Sequence, residues 1–215
     1  MIIAADSQTW RNLIVVPRRD LSVDFANTVA WRGSAPAESL SGMEDLLAWL
    51  LSAKVLPTRP VAGLRKWFDA HPADAARVFA ETIVIREALY RLLNAVATKS
   101  PPPNEDLLKL NSALARAAPR TRLRVAGADL GWRFEAKPTA AGLIAPVLWS
   151  AADLLVGPER VRVRRCANDR CLWLFLDDSK NGTRRWCSMQ SCGNRAKAHR
   201  HYLRHKGKSP HSHSL

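Results

Sequence analysis

All four cysteines of the chain lie in one short window near its carboxyl end. Cys166 and Cys171 form one C-x4-C pair, Cys187 and Cys192 form a second, and 15 residues separate the two pairs. Zinc binds four soft donors in a tetrahedron, which two close cysteine pairs joined by a loop can supply. The pattern predicts one structural zinc ion held by these four thiolates. Buried free thiols and a disulfide are the alternatives.

The residues around the cysteines predict a finger that resembles a treble clef. Residues 172–176 read as a short strand, the Asn181-Gly182 pair favours a hairpin turn, and residues 184–186 can return as a second strand. A helix is expected over residues 193–205, with the last two ligands at its start. Because this segment has few aliphatic side chains, its fold is expected to depend on the metal.

The predicted carboxyl-terminal helix carries a basic face. Spacings of three, four and seven residues bring four cationic or imidazole side chains together, and two arginines of the predicted hairpin extend the surface. Such a surface suits contact with the phosphates of double-stranded DNA, while a solvated surface is the alternative. The candidate DNA-binding residues are Arg184, Arg185, Lys197, Arg200, His201 and Arg204.

Other polar residues of the finger have different expected roles. Arg195 lies off the basic face, and we expect it to form an ion pair with Asp177 or Asp178. Three histidines are alternative metal ligands, although a basic surface is the favoured role for them. They are His199, His201 and His205.

The charge of the chain is concentrated in the same region. The formal net charge is +14, and residues 159–215 contain 14 Lys or Arg against 4 Asp or Glu. A concentrated positive field favours a polyanionic partner, with nucleic acid first and an anionic membrane surface second.

The rest of the chain predicts a mainly α protein with one small β-hairpin, an α+β fold. Helical periodicity dominates up to about residue 120, and alternation predicts a hairpin at about 121–136. Thr139 begins a last apolar helix in which Pro146 is expected to cause a kink. The predicted domains are 1–157, mostly helical, and 158–205, the finger, followed by a disordered tail over 206–215.

The first predicted helix has a polar and aromatic face. Asp24, Asn27, Thr28 and Trp31 share it by helical spacing, opposite an apolar face. One interpretation is a pocket for a small-molecule effector. The other is a hydrogen-bond network that ties helices together, because buried polar groups usually find structural partners.

Two motifs resemble a known family. Residues 187–189 and 192–195, which read Cys-Ser-Met and Cys-Gly-Asn-Arg, resemble the CGNR zinc-finger family, and the likeness extends over residues 165–168, 173–177 and 196–200. Residues 21–29 resemble the opening motif of its helical ABATE domain. These bacterial proteins are described as stress-induced transcription regulators. The resemblance implies a four-cysteine zinc site and DNA binding by the finger.

We therefore expect a DNA-binding transcription regulator with an amino-terminal regulatory or sensor domain. A protein-interaction or RNA-binding module with a purely structural zinc is the alternative. No enzyme is expected, since the sequence has no P-loop, dinucleotide, zincin or serine-hydrolase motif and four cysteines leave zinc no open position. Without a long apolar run or a signal-like start, we expect a cytoplasmic protein with no membrane partner.

Overall fold

A computed structural model of the protein describes residues 13–15, 18–126 and 128–206. The helices are α1 Leu21–Ala26, α2 Met43–Ser52, α3 Thr58–Ala70, α4 Pro72–Thr98, α5 Asn104–Arg116, α6 Ala140–Leu143, α7 Ala145–Val156 and α8 Asn194–Lys206. The strands are β1 Leu13–Val15, β2 Val29–Ala30, β3 Ala37–Glu38, β4 Arg122–Ala126, β5 Asp129–Phe134, β6 Val163–Arg165 and β7 Leu174–Leu176. The mainly α fold class with a small β component is confirmed.

The long helix α4 organises the core. It begins with Pro72, whose missing N–H costs nothing in a first turn, and it ends at Lys99, which adopts a left-handed φ of 56°. The prolines at 101–103 prevent its continuation. Helices α1, α2, α3, α5, α6 and α7 all pack against α4, so the apolar core surrounds it.

The predicted last helix of this part is two helices. Thr139 caps α6, since its hydroxyl accepts a hydrogen bond from the Gly142 N–H at 3.1 Å. Helix α6 ends before Ile144, and α7 begins after it. Pro146 lies in the first turn of α7, where proline is tolerated. Pro146 therefore helps to start α7 and does not kink it.

The hairpin predicted at about 121–136 is present as β4 and β5, which pair antiparallel. A third strand was not foreseen from the sequence. Leu13–Val15 pairs with the other edge of β5, which gives the sheet order β1-β5-β4. The apolar run at residues 13–16 is continuous and does not alternate, so its periodicity does not distinguish a strand from a buried helical segment.

The strand pairing predicted inside the finger is wrong. Residues 184–186 form no strand; β7 pairs instead with β6, with Val163 opposite Leu176 and Arg165 opposite Leu174. The Asp177 carboxylate explains the difference, because it accepts the Arg184 N–H at 3.0 Å and so holds the returning segment in a loop. Gly182 does form the expected turn, with φ of 61°.

The finger (residues 163–206) shares a core with the amino-terminal part (the described residues up to 156). The shared core combines the finger residues Val163, Leu174 and Leu176 with Val23, Ala26, Tyr90, Leu93 and Leu154. Helix α7 ends at Val156, and a 3-10 turn, Pro158–Arg162, leads into β6. The predicted tail at 206–215 lies outside the described residues, apart from Lys206.

Candidate metal centre and nucleic-acid interface

The first cysteine pair lies at the tip of the β6–β7 hairpin. The Cys166 N–H donates to the Trp173 carbonyl at 2.8 Å, and the Cys171 N–H donates to the Asn168 carbonyl at 2.9 Å. Leu172 closes the turn with a left-handed φ of 55°. These backbone bonds direct both thiols of the pair to one side of the loop.

The second cysteine pair lies just before α8. Cys192 belongs to a single π-helical turn, Met189–Gly193, and α8 begins at the next residue. The four sulfurs lie within 4.8 Å of one another. Cys187 Sγ is 3.8 Å from both Cys171 Sγ and Cys192 Sγ. Four thiolates at about 2.3 Å from a tetrahedral zinc ion are separated by about 3.8 Å, so this geometry fits zinc.

The shifted pKa values of the cysteine thiols also favour a bound cation. A hydrogen bond from Cys187 lowers the pKa of Cys166 to about 5. Burial raises the pKa of Cys171 to about 11, and the hydrogen bond to Cys166 raises the pKa of Cys187 above its usual range. Negative charge on one sulfur thus opposes ionisation of its neighbours. A divalent cation between the sulfurs removes that opposition.

Asn168 supports the centre from outside. Its amide Nδ2 donates to Cys192 Sγ at 3.4 Å, while its Oδ1 accepts the Arg170 N–H at 3.1 Å. Such outer contacts orient metal ligands and partly offset the charge of the thiolates. Cys166, Cys171 and Cys192 are buried, as a structural metal site requires.

Comparison with known families accounts for both parts of the chain. Residues 19–158 match the ABATE family model, whose description reads "putative stress-induced transcription regulator". The chain belongs to the ABATE family. Residues 162–205 match the CGNR zinc-finger model, and with the cysteine geometry this establishes one structural zinc ion bound by the four cysteines. Among proteins of curated function, none matches the sequence.

The residues of the Cys-Gly-Asn-Arg sequence make contacts within the finger and beyond it. After the ligand Cys192, Gly193 lies against the Met189 side chain, where a Cβ would approach Sδ to 2.7 Å and the exposed thioether would have to move. Asn194 Nδ2 donates to the Gln190 carbonyl at 3.4 Å. The Arg195 guanidinium lies 4.5 Å from the centre of the Trp31 ring in the amino-terminal part.

The expected ion pair of Arg195 is therefore wrong. Asp178 pairs with Arg19 and Arg162, and Asp177 is occupied by hydrogen bonds within its own loop. Arg195 instead makes a cation–π contact, which fixes the first turn of α8 against the ABATE domain.

The remaining basic candidates divide into two groups. Lys197, Arg200, His201 and Arg204 are all exposed on α8. On the loop, the Arg184 guanidinium donates to the carbonyls of Trp186 and Cys187 and stacks on Phe175 at 4.4 Å. Arg185 is exposed, with its guanidinium 5.5 Å from the Trp186 ring. Arg184 thus braces the zinc loop, whereas the helix residues face outward.

The four residues of the predicted polar face do not share a helical face. Helix α1 ends at Ala26, and both the hydroxyl and the N–H of Thr28 donate to the Phe25 carbonyl, at 2.9 and 3.2 Å. Asp24 is exposed and pairs with Arg18. Asn27 is buried and bonds Leu174 of the finger. They line no common cavity: Trp31 borders a cleft beside the zinc loop, while Asp24 and Asn27 border another.

Further contacts join the finger to the amino-terminal part, and they were not predicted from the sequence. Tyr90 Oη donates to the Leu172 carbonyl at 3.0 Å. The Gly33 N–H donates to the Arg170 carbonyl at 3.2 Å, and a Cβ on Gly33 would lie 1.8 Å from the Asp169 carbonyl oxygen. Together with the Asn27–Leu174 and Trp31–Arg195 contacts, these contacts join the finger to the amino-terminal part. The Trp-Arg-Gly sequence at 31–33 was the available signal, since glycine permits close backbone approach.

Membrane insertion through a helix finds no support. None of the helices in the described ranges is both long enough and apolar enough to span a bilayer.

Proposed function

We propose that this protein is a DNA-binding transcription regulator in which α8 of the zinc finger contacts double-stranded DNA. The observation that carries the proposal is that unpaired positive charge is concentrated on one exposed helix. The unpaired cations of the amino-terminal part, such as Arg59, Lys66 and Lys137, are spread over several elements. In the amino-terminal part, ion pairs neutralise Arg18, Arg19, Arg32, Arg65, Arg77, Arg86, Arg91, Arg116 and Arg120. On α8, Lys197, Arg200 and Arg204 are exposed and pair with no other described residue.

The shape of α8 supports the same function. It has 13 residues and is about 20 Å long. It contains no acidic side chain, so all of its formal charges are positive. Its first turn is anchored by zinc through Cys192 and by Trp31 through Arg195. A helix of ordinary diameter fits the major groove, and phosphates flank both sides of such a helix.

We also propose that this function is binding without catalysis. Four cysteines complete the coordination shell of zinc, so the metal has no open position for a substrate. A regulator of this kind would work beside the chromosome, which in bacteria means the cytoplasm.

The salt dependence of DNA binding tests the proposal. If the finger neutralises about five phosphates, the logarithm of affinity falls with the logarithm of salt concentration with a slope of about −4 to −5. Lys197→Ala, Arg200→Ala and Arg204→Ala should each make that slope shallower by about 1. Titration of labelled duplexes, selected from a random pool, measures both quantities.

A matched control separates α8 from net charge. Arg59, Lys66 and Lys137 are exposed, belong to the amino-terminal part and form no ion pair with a described residue. Their triple alanine variant loses the same three charges and should bind DNA with an unchanged slope. Equal loss in both triple variants would contradict a specific role for α8.

One observation favours RNA as a second candidate partner. Trp31 and Trp186 border a cleft of about 700 Å³ that also contains Arg170, Arg195 and His199. Aromatic rings beside cationic side chains suit stacked single-stranded bases. Tighter binding of single-stranded RNA than of duplex DNA, lost in Trp186→Leu, would favour this candidate.

A further inference from the structure

A cavity of about 270 Å³ lies where α1, β5 and α7 meet the segment that leads into the finger. It is separate from the zinc centre, from α8 and from the four residues of the predicted polar face. Its walls are mostly apolar, and they include Leu21, Trp132, Pro146, Trp149, Leu154 and Pro158.

Two indole rings give the cavity its aromatic character. Trp149 is almost fully buried, and its Nε1 donates to the Ala118 carbonyl at 3.1 Å. The polar edge of this indole is therefore satisfied inside the protein. Trp132 is half-buried on β5. The Trp149 ring packs edge-to-face on Phe134, with ring centres 5.4 Å apart. Both indoles also line the cavity, where they can contact an apolar, planar occupant.

Arg120 places positive charge beside both rings. Its guanidinium carbon lies 5.8 Å from the centre of the Trp132 ring and 5.8 Å from that of Trp149. The ion pair with Asp153 uses Nη1 and Nη2, at 2.6 and 2.8 Å. A guanidinium has five N–H donors, so Arg120 keeps Nε–H, for which no described residue is the acceptor, and one N–H on each terminal nitrogen.

Arg120 is the guanidinium of the cavity with donors to spare. Arg18 and Arg19 also line the cavity, but each already pairs with two carboxylates, Arg18 with Asp20 and Asp24, and Arg19 with Glu159 and Asp178. Among the described residues, Arg120 pairs with Asp153 alone. A group bound in the cavity can therefore accept hydrogen bonds from Arg120, and a carboxylate accepts stronger hydrogen bonds from a guanidinium than a neutral oxygen does.

We propose that this cavity binds a small aromatic carboxylate. The planar ring lies against the indoles of Trp132 and Trp149, and the carboxylate accepts hydrogen bonds from Arg120. The volume is just below that of drug-sized pockets, which restricts the occupant to one ring or two fused rings. This binding does not require DNA, so its test succeeds or fails whatever α8 binds.

The test compares two probes of equal size on the full, zinc-loaded chain. Calorimetric titration and quenching of tryptophan fluorescence measure the affinity for 1-naphthoate and for the neutral 1-naphthalenemethanol. We expect naphthoate to bind at least ten-fold more tightly. Absence of naphthoate binding, or equal affinity for the two probes, overturns the proposal, and neither outcome depends on the folding of a variant.

Variants then locate the site. Arg120→Met should reduce the affinity for naphthoate to that for the alcohol, and Trp132→Leu should weaken both probes at least ten-fold. Trp67→Leu is the matched control, because Trp67 is also half-buried but stacks on His71, away from the cavity. Naphthoate affinity that is unchanged in folded Arg120→Met and Trp132→Leu overturns the assignment to this cavity.

Discussion

Asn27 joins the two parts of the molecule with a single side chain. Its amide donates to the Leu174 carbonyl at 2.8 Å and accepts the Leu174 N–H at 3.1 Å. It thereby satisfies both backbone groups of a buried finger residue. Helical spacing in the sequence identified Asn27 as a polar residue needing partners, but it could not indicate a partner 147 positions away.

Truncation of this side chain leaves two buried backbone groups of Leu174 without their partners. We expect Asn27→Ala to lower the free energy of unfolding by about 1–3 kcal/mol, the usual cost of unsatisfied buried groups. Urea unfolding of the zinc-loaded protein measures this change. Faster removal of zinc by a chelator should accompany it, because Leu174 belongs to the hairpin that carries Cys166 and Cys171.

Asp24 provides the control for that measurement. Its side chain is 47% exposed and pairs with Arg18, which is 43% exposed, so Asp24→Ala should change stability by less than about 0.5 kcal/mol. An equal loss in the free energy of unfolding in both variants would contradict the prediction that the buried hydrogen bonds of Asn27 contribute more to stability than the exposed ion pair of Asp24.

At the scale of elements, the sequence predicts helices better than strand partners. Helical periodicity over residues 72–97 of the sequence predicts α4 to within one residue of its observed end, because its buried stripe repeats over 27 residues. The predicted partner of β7 was wrong because a turn signal such as Asn181-Gly182 indicates only that the chain reverses locally, and not which strands pair. The actual pairing depends on the Asp177 carboxylate, which occupies the Arg184 N–H.

In the candidate site as well, local features were predictable and long-range contacts were not. The spacing of the four cysteines predicted the zinc ligands, since two cysteine pairs in one window favour a metal over a disulfide or buried free thiols. The cation–π contact of Arg195 with Trp31 was not predictable, because Trp31 lies 164 positions earlier, in the loop after β2. The ion-pairing state of α8 also depends on tertiary structure: only the fold shows which carboxylates reach which arginines.

Loss of the metal should affect more than the finger. We expect one zinc equivalent in the purified, tag-free protein and substoichiometric zinc in Cys171→Ser. Without zinc the β6–β7 hairpin loses its anchor, and the core that Val163, Leu174 and Leu176 share with the amino-terminal part is opened. Metal analysis and a thermal unfolding scan should therefore show lower zinc content together with a lower Tm for the whole chain.

Ser188→Ala is the matched control for the cysteine variant. Ser188 neighbours Cys187 but contributes no sulfur to the cluster, so this variant should keep both its zinc and its Tm. Full zinc occupancy in Cys171→Ser would contradict the four-cysteine site. An unchanged unfolding transition of the amino-terminal part after zinc loss would contradict the shared core.

At the scale of the whole molecule, ion pairs lead from the aromatic cavity into the finger. Arg19, which lines the cavity, binds Glu159 at 2.8 Å and Asp178 at 2.8 Å. Asp178 lies in the loop after β7 and pairs in turn with Arg162 at 3.3 Å. An occupant that moves Arg19 would disturb its pair with Asp178, so we expect occupation of the cavity to affect the finger.

This arrangement predicts reciprocal coupling between the two proposed sites. Saturating 1-naphthoate should change duplex affinity at least five-fold, and saturating DNA should change naphthoate affinity by the same factor, because linkage requires equality. Asp178→Asn should reduce the factor toward one while naphthoate still binds, since Asp178 does not line the cavity. Titrations of each ligand, with and without the other, measure both factors. An unchanged duplex affinity at saturating naphthoate would show that the cavity does not regulate the finger.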